Sequence, residues 1–354
     1  AVTVADIDQS ALDKVTHRNP AIQTIHADLS DQNRLGELIQ PFDLVLNAVP
    51  GFMGYTTTEC ILRNGKNTVD ISFFPENALE LDALAKEKGL TAIVDCGVAP
   101  GMDNIILGHY DQRMTLDTFE CLVGGLPKVR RWPFAYKAPF SPIDVLEEYT
   151  RPARYVENSV TITRPALSDP EYVEFDKCGT LESFNTDGLR SIIFTMPHIP
   201  NMKEKTLRYP GHIEYVRVLR ETGFFSQEAI DVNGQQVVPL DFTSKLLFKD
   251  WKLGDTEPEF TVMRVTVEGQ DGDQRKRVQY DLYDEYDPAT QTSSMARTTG
   301  YSATAAVNLF MDGRFTEKGV FPPELVGKHE GVLQYFLDYM GARGIEYRKT
   351  ETVL

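Results

Sequence analysis

The sequence predicts an α/β protein in which a parallel-sheet region is followed by a second, mixed α/β region and a helical end. Three observations carry that expectation. Short apolar runs alternate with amphipathic stretches over residues 1–113, the tempo of βα units joined by right-handed crossovers. Near Met114 the texture changes to alternating, β-rich runs that suit a largely antiparallel sheet. From about Gly300 the chain turns helical again, which divides it into 1–113, 114–295 and 296–354.

Val2 to Asp8 reads as a strand ending in carboxylates, followed by a short helix from Ser10 to Val15. Ile22 to Asp28 is a second strand, and Ser30 caps an amphipathic helix through Ile39. Phe42 to Val49 is a third, stopped by Pro50-Gly51 ahead of a helix from about Tyr55 to Arg63. Asn67 to Ser72 gives a fourth strand, Leu79 to Lys88 a helix, and Thr91 to Asp95 a fifth strand. In the second region strands are expected at 118–125, 160–163, 172–176, 260–267 and 277–283. Helices are expected there at 142–149, 212–222 and 239–251. The last region holds helices through Phe310 and from Leu333 to Met340. No internal repeat is present, so a scaffold array is a poor fit.

At 354 residues the chain is long enough for two compact units. Its formal charge of −16 argues against a nucleic acid or an anionic membrane as a general partner, since both reward dense Lys/Arg fields. No apolar run approaches the ~18 residues of a membrane span, and the amino end lacks the layout of a signal peptide. A cytoplasmic protein is expected. Cys60, Cys96, Cys121 and Cys178 contain no CxxC pair and read as reduced thiols. His17, His26, His109, His198 and His329 form no metal-ligand spacing, so no metal is expected. Neither a nucleophile elbow nor a P-loop is present, which lowers hydrolase and kinase readings.

The carboxyl ends of parallel strands face a crevice where open α/β sheets bind ligands. Asp6 or Asp8, at the end of the first visible strand, stands where a dinucleotide fold hydrogen-bonds the adenosine ribose; two ordinary solvated acids are the even alternative. A carboxylate there repels a 2′-phosphate, so the cofactor expected is NAD. Asp28 ends the next strand and joins Asp6 on that edge. The turn Ala48-Val49-Pro50-Gly51 and the loop 95–101, with Gly97, Pro100 and Gly101, follow two further strands and suit the nicotinamide side. The strand and GxGxxG turn that should precede Val2 are missing, and the expectation is that the chain is a fragment lacking them.

In the second region Tyr136-Lys137, Ser141-Pro142 and Arg151-Pro-Ala-Arg154 gather cations and a phenol around a helix start. For any one of these cations plain solvation is the commoner role. Leu207-Arg-Tyr-Pro-Gly-His212 fixes Arg208 before a helix and His212 at its beginning, a geometry suited to gripping a carboxylate, or equally a capped turn.

With these residues assembled, the chain resembles the saccharopine dehydrogenase (saccharopine reductase) superfamily, and most of its length resembles the L-lysine 6-dehydrogenase branch. The resemblance rests on blocks at 48–54, 69–73, 94–101, 124–127, 148–154, 186–191, 206–212 and 319–324, which fall in the family's order. It implies a Rossmann domain interrupted by a catalytic domain that also dimerises, giving a homodimer or higher homo-oligomer, with the final helices returning to the Rossmann body. It implies Asp6 as the ribose acid, the 47–54 and 95–101 segments against the nicotinamide, and the Tyr136/Lys137 and Arg208/His212 pairs in the substrate cavity. The implied reaction is NAD-dependent oxidation of lysine at its ε-carbon to the semialdehyde, with release of ammonia. Within that cavity His212 is the candidate for proton handling and Lys137 a second. Arg208 is expected on the α-carboxylate, with Arg154 beside it, and Asp70 on the α-ammonium. The alternatives are a saccharopine reductase, a carboxyspermidine-type dehydrogenase, or a non-catalytic dimer with an incomplete nucleotide site.

Overall fold

The structure is a computed structural model that describes residues 1–138 and 142–354, with the backbone alone for 142–144. It is α/β and divides into two compact units, the first of residues 1–95 with 306–321 and the second of 96–305 with 322–354. The sequence reading places 1–113 and 296–354 with the first domain, whereas 96–113, 296–305 and 322–354 group with the second unit.

The first unit runs β1 (Thr3–Asp6), α1 (Gln9–Arg18), β2 (Gln23–His26), α2 (Gln32–Leu38), β3 (Leu44–Asn47), α3 (Gly51–Arg63), β4 (Asn67–Asp70), α4 (Asp82–Glu87) and β5 (Thr91–Ile93). A single 3₁₀ turn, Ala78–Leu81, precedes α4, so the helix expected over 79–88 is two pieces. All strand pairs are parallel: β1 with β2, and β3-β4-β5 with the strand Gly319–Phe321 beyond β5. Leu62, Phe74, Leu81, Ala85, Leu90, Val94 and Val320 pack as the core beneath this sheet. Helix α1 starts at Gln9, with Asp8 as its cap, because the Asp8 carboxylate accepts the Ser10 N–H. Asp31, and not Ser30, caps α2 by accepting from the amides of Asn33 and Arg34. Helix α3 starts at Gly51, four residues before the expected start, with Pro50 at its cap position and no side-chain cap bond.

The second unit follows in the order α5 (Met102–Asp111), β6 (Thr115–Pro127), α6 (Pro142–Thr150), β7 (Ala153–Glu157), β8 (Val160–Arg164), β9 (Glu171–Phe175), β10 (Gly179–Asn185), α7 (Ile192–Thr195) and β11 (Asn201–Arg208). Then come α8 (His212–Glu221), a small hairpin β12 (Ile230–Val232) and β13 (Gln235–Val237), α9 (Pro239–Trp251), and the long strands β14 (Glu259–Asp271) and β15 (Gln274–Glu285). Helix α10 (Ser294–Met311) leads out of this unit, β16 (Gly319–Phe321) is the strand beside β5, and α11 (Pro323–Gly327), α12 (Val332–Gly341) and β17 (Tyr347–Val353) close the chain.

Nine strands form its sheet in the order β17-β15-β14-β6-β11-β10-β9, with β7 on β11 and β8 on β7; β11 and β6 are parallel and the other pairs antiparallel. Helices α6, α8 and α9 enclose a core of Tyr136, Leu146, Tyr149, Phe184, Ile213 and Trp251. Helix α5 crosses α11 at a glycine: a Cβ on Gly108 would stand 2.0 Å from the Glu324 carbonyl oxygen. Gly108→Ala is therefore expected to lower stability by ~1–3 kcal/mol, the usual cost of overpacking, read as a fall in melting temperature. An unchanged melting point would show that α11 moves aside freely.

Candidate functional site

In the first unit the strand ends carry the expected groups. Asp6 is the last residue of β1, and its Oδ1 accepts the Asp8 N–H at 2.8 Å. Asp28 lies two residues past β2, exposed, with its Oδ1 turned back on the Ser30 amide and hydroxyl, which hold its carboxyl below the usual range. Ala48 and Pro50 are exposed and Val49 and Gly51 half-buried, a short turn whose end opens α3. The expected 47–54 loop is thus three residues and the first turn of a helix.

Asp70 does not stand ready for a substrate ammonium. It is fully buried, and Asn47 Nδ2 (2.6 Å), Ser72 Oγ (2.7 Å), Thr58 Oγ1 (3.3 Å) and the Ser72 amide (3.1 Å) all donate to it. Burial outweighs these donors and pushes its carboxyl up to about 7, with the neighbouring Asp95 charge adding to the rise. It is an internal tie between the ends of β3 and β4.

Gly97, Pro100 and Gly101 make a knot at the start of α5. The Gly97 amide donates to the Pro100 carbonyl at 3.0 Å and the Met102 amide to the Gly97 carbonyl at 3.1 Å. Gly101 has φ 144° and a Cβ there would sit 1.9 Å from the Gly97 oxygen, so only glycine closes this turn.

The second unit brings Tyr136, Tyr149, Arg208, His212 and Trp251 together. Arg208 ends β11, and His212 opens α8 four residues later, after the turn whose Gly211 has φ 92°. Arg208 is 2% exposed. Its guanidinium donates to Glu148 Oε2 at 2.7 Å, to the Tyr149 hydroxyl at 3.1 Å and to its neighbour's carbonyl, Leu207 O, at 2.9 Å. It lies over the Tyr136 ring, with Cζ 4.5 Å from the centroid. The aromatic rings of His212 and Trp251 stand 5.1 and 5.4 Å from that of Tyr136. Burial drives the Tyr136 and Tyr149 phenols far above their ordinary range, so both remain neutral donors. The Tyr136 hydroxyl and Trp251 Nε1 are buried without a hydrogen-bond partner among the described residues.

His212 departs from its expected role as a proton carrier. It is 2% exposed, its Nδ1 meets the Phe134 carbonyl at 2.9 Å and its Nε2 the Tyr149 hydroxyl at 2.9 Å. Burial, and then the Arg208 charge, push its pKa down to about 3, so the ring is neutral with both nitrogens occupied. Lys137 is likewise committed: its ammonium donates to the carbonyls of Asp250 and Lys252 at the carboxyl end of α9. Arg154 is bound by Asp187 through two N–H···O bonds of 2.8 and 2.9 Å, and Arg151 by Glu147. Ser141 lies outside the described residues. Tyr149 and Trp251 were not singled out by sequence reasoning, since aromatics on inward helix faces read as core.

Parallel βα units, the first of whose strands ends on Asp6, are the architecture of a dinucleotide-binding domain. Residues 1–93 match the family model described as "Saccharopine dehydrogenase NADP binding domain" and 97–345 that described as "Saccharopine dehydrogenase C-terminal domain"; the chain belongs to the saccharopine dehydrogenase family. The carboxyaminopropylagmatine dehydrogenase of Synechocystis sp. is 23% identical over 91% of this chain and 84% of its own. The carboxynorspermidine synthase of Vibrio alginolyticus is 24% identical over 88% and 78%. The saccharopine dehydrogenase [NADP(+), L-glutamate-forming] of Pyricularia oryzae is 27% identical over 60% of this chain and 49% of that protein. Among solved structures, apo saccharopine dehydrogenase (L-Glu forming) from Saccharomyces cerevisiae shares the fold with a TM-score of 0.76 at 17% identity, covering 99% of both chains. No helix among the described residues is long and apolar enough to cross a membrane, and none of their side chains group into a metal site.

Proposed function

We propose that this protein is an NAD-dependent dehydrogenase that oxidises L-lysine at the ε-carbon, giving an imine that water converts to the semialdehyde and ammonia. The observation that carries the choice of substrate is charge balance. Arg151, Arg154 and Arg208 each hold a carboxylate of the protein itself, Glu147, Asp187 and Glu148. With these three cations already matched, a substrate with one carboxylate and an amine suits the chain, while saccharopine brings further carboxylates that would need unmatched cations. The relatives from Synechocystis and Vibrio, which match most of this chain, favour a second reading, a carboxyalkyl-polyamine substrate of the same C–N chemistry.

The residues present fit a nicotinamide dinucleotide in part. Asp6 is a strand-end acceptor suited to ribose hydroxyls, and with Asp8 it disfavours a 2′-phosphate, which supports NAD. When bound, the dinucleotide supplies the hydride acceptor. This chain's residues then do the rest. Arg208 holds the carboxylate, Tyr136 offers its hydroxyl, and the rings around them keep water out. Hydride leaves carbon only when the amine lone pair is free, and no described residue of this cluster is a ready base, because His212 stays neutral and doubly bonded. Activity on lysine is therefore expected to rise with pH toward the ~10.4 of a free lysine amine.

The test is NADH formation at 340 nm by the protein with NAD and, in parallel, lysine, saccharopine and carboxynorspermidine, from pH 7 to 10.5. Turnover of lysine with a rising profile supports the proposal. Turnover of saccharopine alone sinks it, and a flat profile above pH 7 sinks the absence of a base.

A further inference from the structure

Resting on Arg208 as the carboxylate grip, we propose that Tyr149 and His212 are positioning residues for it, forming a one-way chain of hydrogen bonds from the guanidinium to the Phe134 carbonyl. The direction follows from what each group can do. A carbonyl oxygen only accepts, so the 2.9 Å contact with Phe134 O places the imidazole proton on Nδ1. The ring is buried beside Arg208, so Nε2 bears no second proton and is an acceptor. The partner of Nε2 at 2.9 Å is the Tyr149 hydroxyl, which must therefore donate its proton there.

With its O–H turned to His212, Tyr149 presents oxygen lone pairs to Arg208 Nε, 3.1 Å away. Without His212 that hydroxyl is free to rotate, and its proton can face the guanidinium, where two donors would repel. Glu148 and the Leu207 carbonyl hold one N–H on each terminal nitrogen at 2.7 and 2.9 Å. Three of the five guanidinium N–H groups are thus fixed, and the other two, one on each terminal nitrogen in the guanidinium plane, take no acceptor among the described residues and are left for a carboxylate. The Tyr136 ring beneath Cζ keeps that plane from tilting. Preorganisation of this kind raises affinity by removing the cost of ordering the side chain at binding. Neither Tyr149 nor His212 needs to touch substrate.

Three variants test the chain: Tyr149→Phe, His212→Leu, and His212→Gln, whose amide oxygen can again accept from Tyr149. The readouts are steady-state kinetics with lysine and NAD, and solvent exchange of the Arg208 Nε–H by ¹⁵N NMR, assigned with Arg208→Lys. Tyr149→Phe and His212→Leu should raise KM for lysine by ~10-fold or more while kcat changes by less than ~3-fold, with Arg208 Nε–H protection lost. His212→Gln should restore both toward wild type. Protection unchanged in Tyr149→Phe overturns the proposal, as does a loss of kcat at constant KM. The exchange readout needs no turnover. If the wild type oxidises no lysine yet protection falls in Tyr149→Phe and returns in His212→Gln, the substrate reading fails and the positioning chain stands.

Discussion

Replacing Arg208 by methionine should raise KM for a carboxylate-bearing substrate by ~10²-fold or more, the scale of losing a charge-assisted, two-pronged contact in a dry site. The same substitution should destabilise the second unit. A guanidinium that is 2% exposed stands against a Glu148 side chain that is 25% exposed. Removing one partner of a buried pair costs ~3–5 kcal/mol, and water reaching Glu148 puts this case toward the lower end. The two effects are separable. Adding Glu148→Gln to Arg208→Met removes the unmatched carboxylate and should recover most of the melting temperature without recovering KM. Equal recovery of both would mean that Arg208 is a structural ion and that the substrate carboxylate binds elsewhere. An unchanged KM in the single variant would remove Arg208 from the site altogether.

That argument turns on a strand that apolar patterning does not reveal. β11, Asn201–Arg208, buries Glu204, Lys205, Thr206 and Arg208 with only Met202 and Leu207 as apolar companions, on opposite faces, so no alternation of apolar side chains announces it. β17 escapes for the opposite reason: Tyr347–Val353 is a sheet edge, exposed after its first residue and lined with Arg348, Lys349 and Glu351, the charges that keep such an edge from pairing further. The strands β1 to β5 carry short apolar runs closed by turn residues, and the long β6, β14 and β15 bury Leu116, Phe119, Val262, Val265, Val278 and Tyr280 among others, so these were legible. Residue type showed Arg208 and His212 as a pair, because the intervening Pro-Gly turn is local chemistry. Their roles were not legible. His212 reads as a base until the Phe134 carbonyl and the Tyr149 hydroxyl occupy its nitrogens, and those partners are 78 and 63 residues away. Asp70 reads as an exposed strand-end acid until Asn47, Thr58 and Ser72 close around it.

Asp70→Asn should make the first unit more stable relative to wild type as pH rises from 4 to 7. An acid whose folded pKa is raised binds its proton more tightly in the folded state than in the unfolded one. Its stabilising contribution is complete below the unfolded value of 3.8 and is lost as pH climbs through the folded value of about 7. A gap of that size corresponds to on the order of 4 kcal/mol at most. In the second unit Asp103, pushed up to about 7 by complete burial, and the buried Glu204 and Glu324, raised by the same cause, act with the same sign. His212 and His109 oppose them. Burial lowers these to about 3 and about 4, so their contribution is present above pH 6.5 and is lost as pH falls. The wild-type curve alone is then nearly uninformative, since acids and imidazoles offset each other across the same window. The difference between wild type and Asp70→Asn isolates one group. Thermal melts at pH 4.5 to 8 should show the variant gaining on wild type as pH rises, by on the order of 5 °C or more. Two parallel curves would mean that the four donors around Asp70 win over burial and that the carboxylate is ionised in the folded protein.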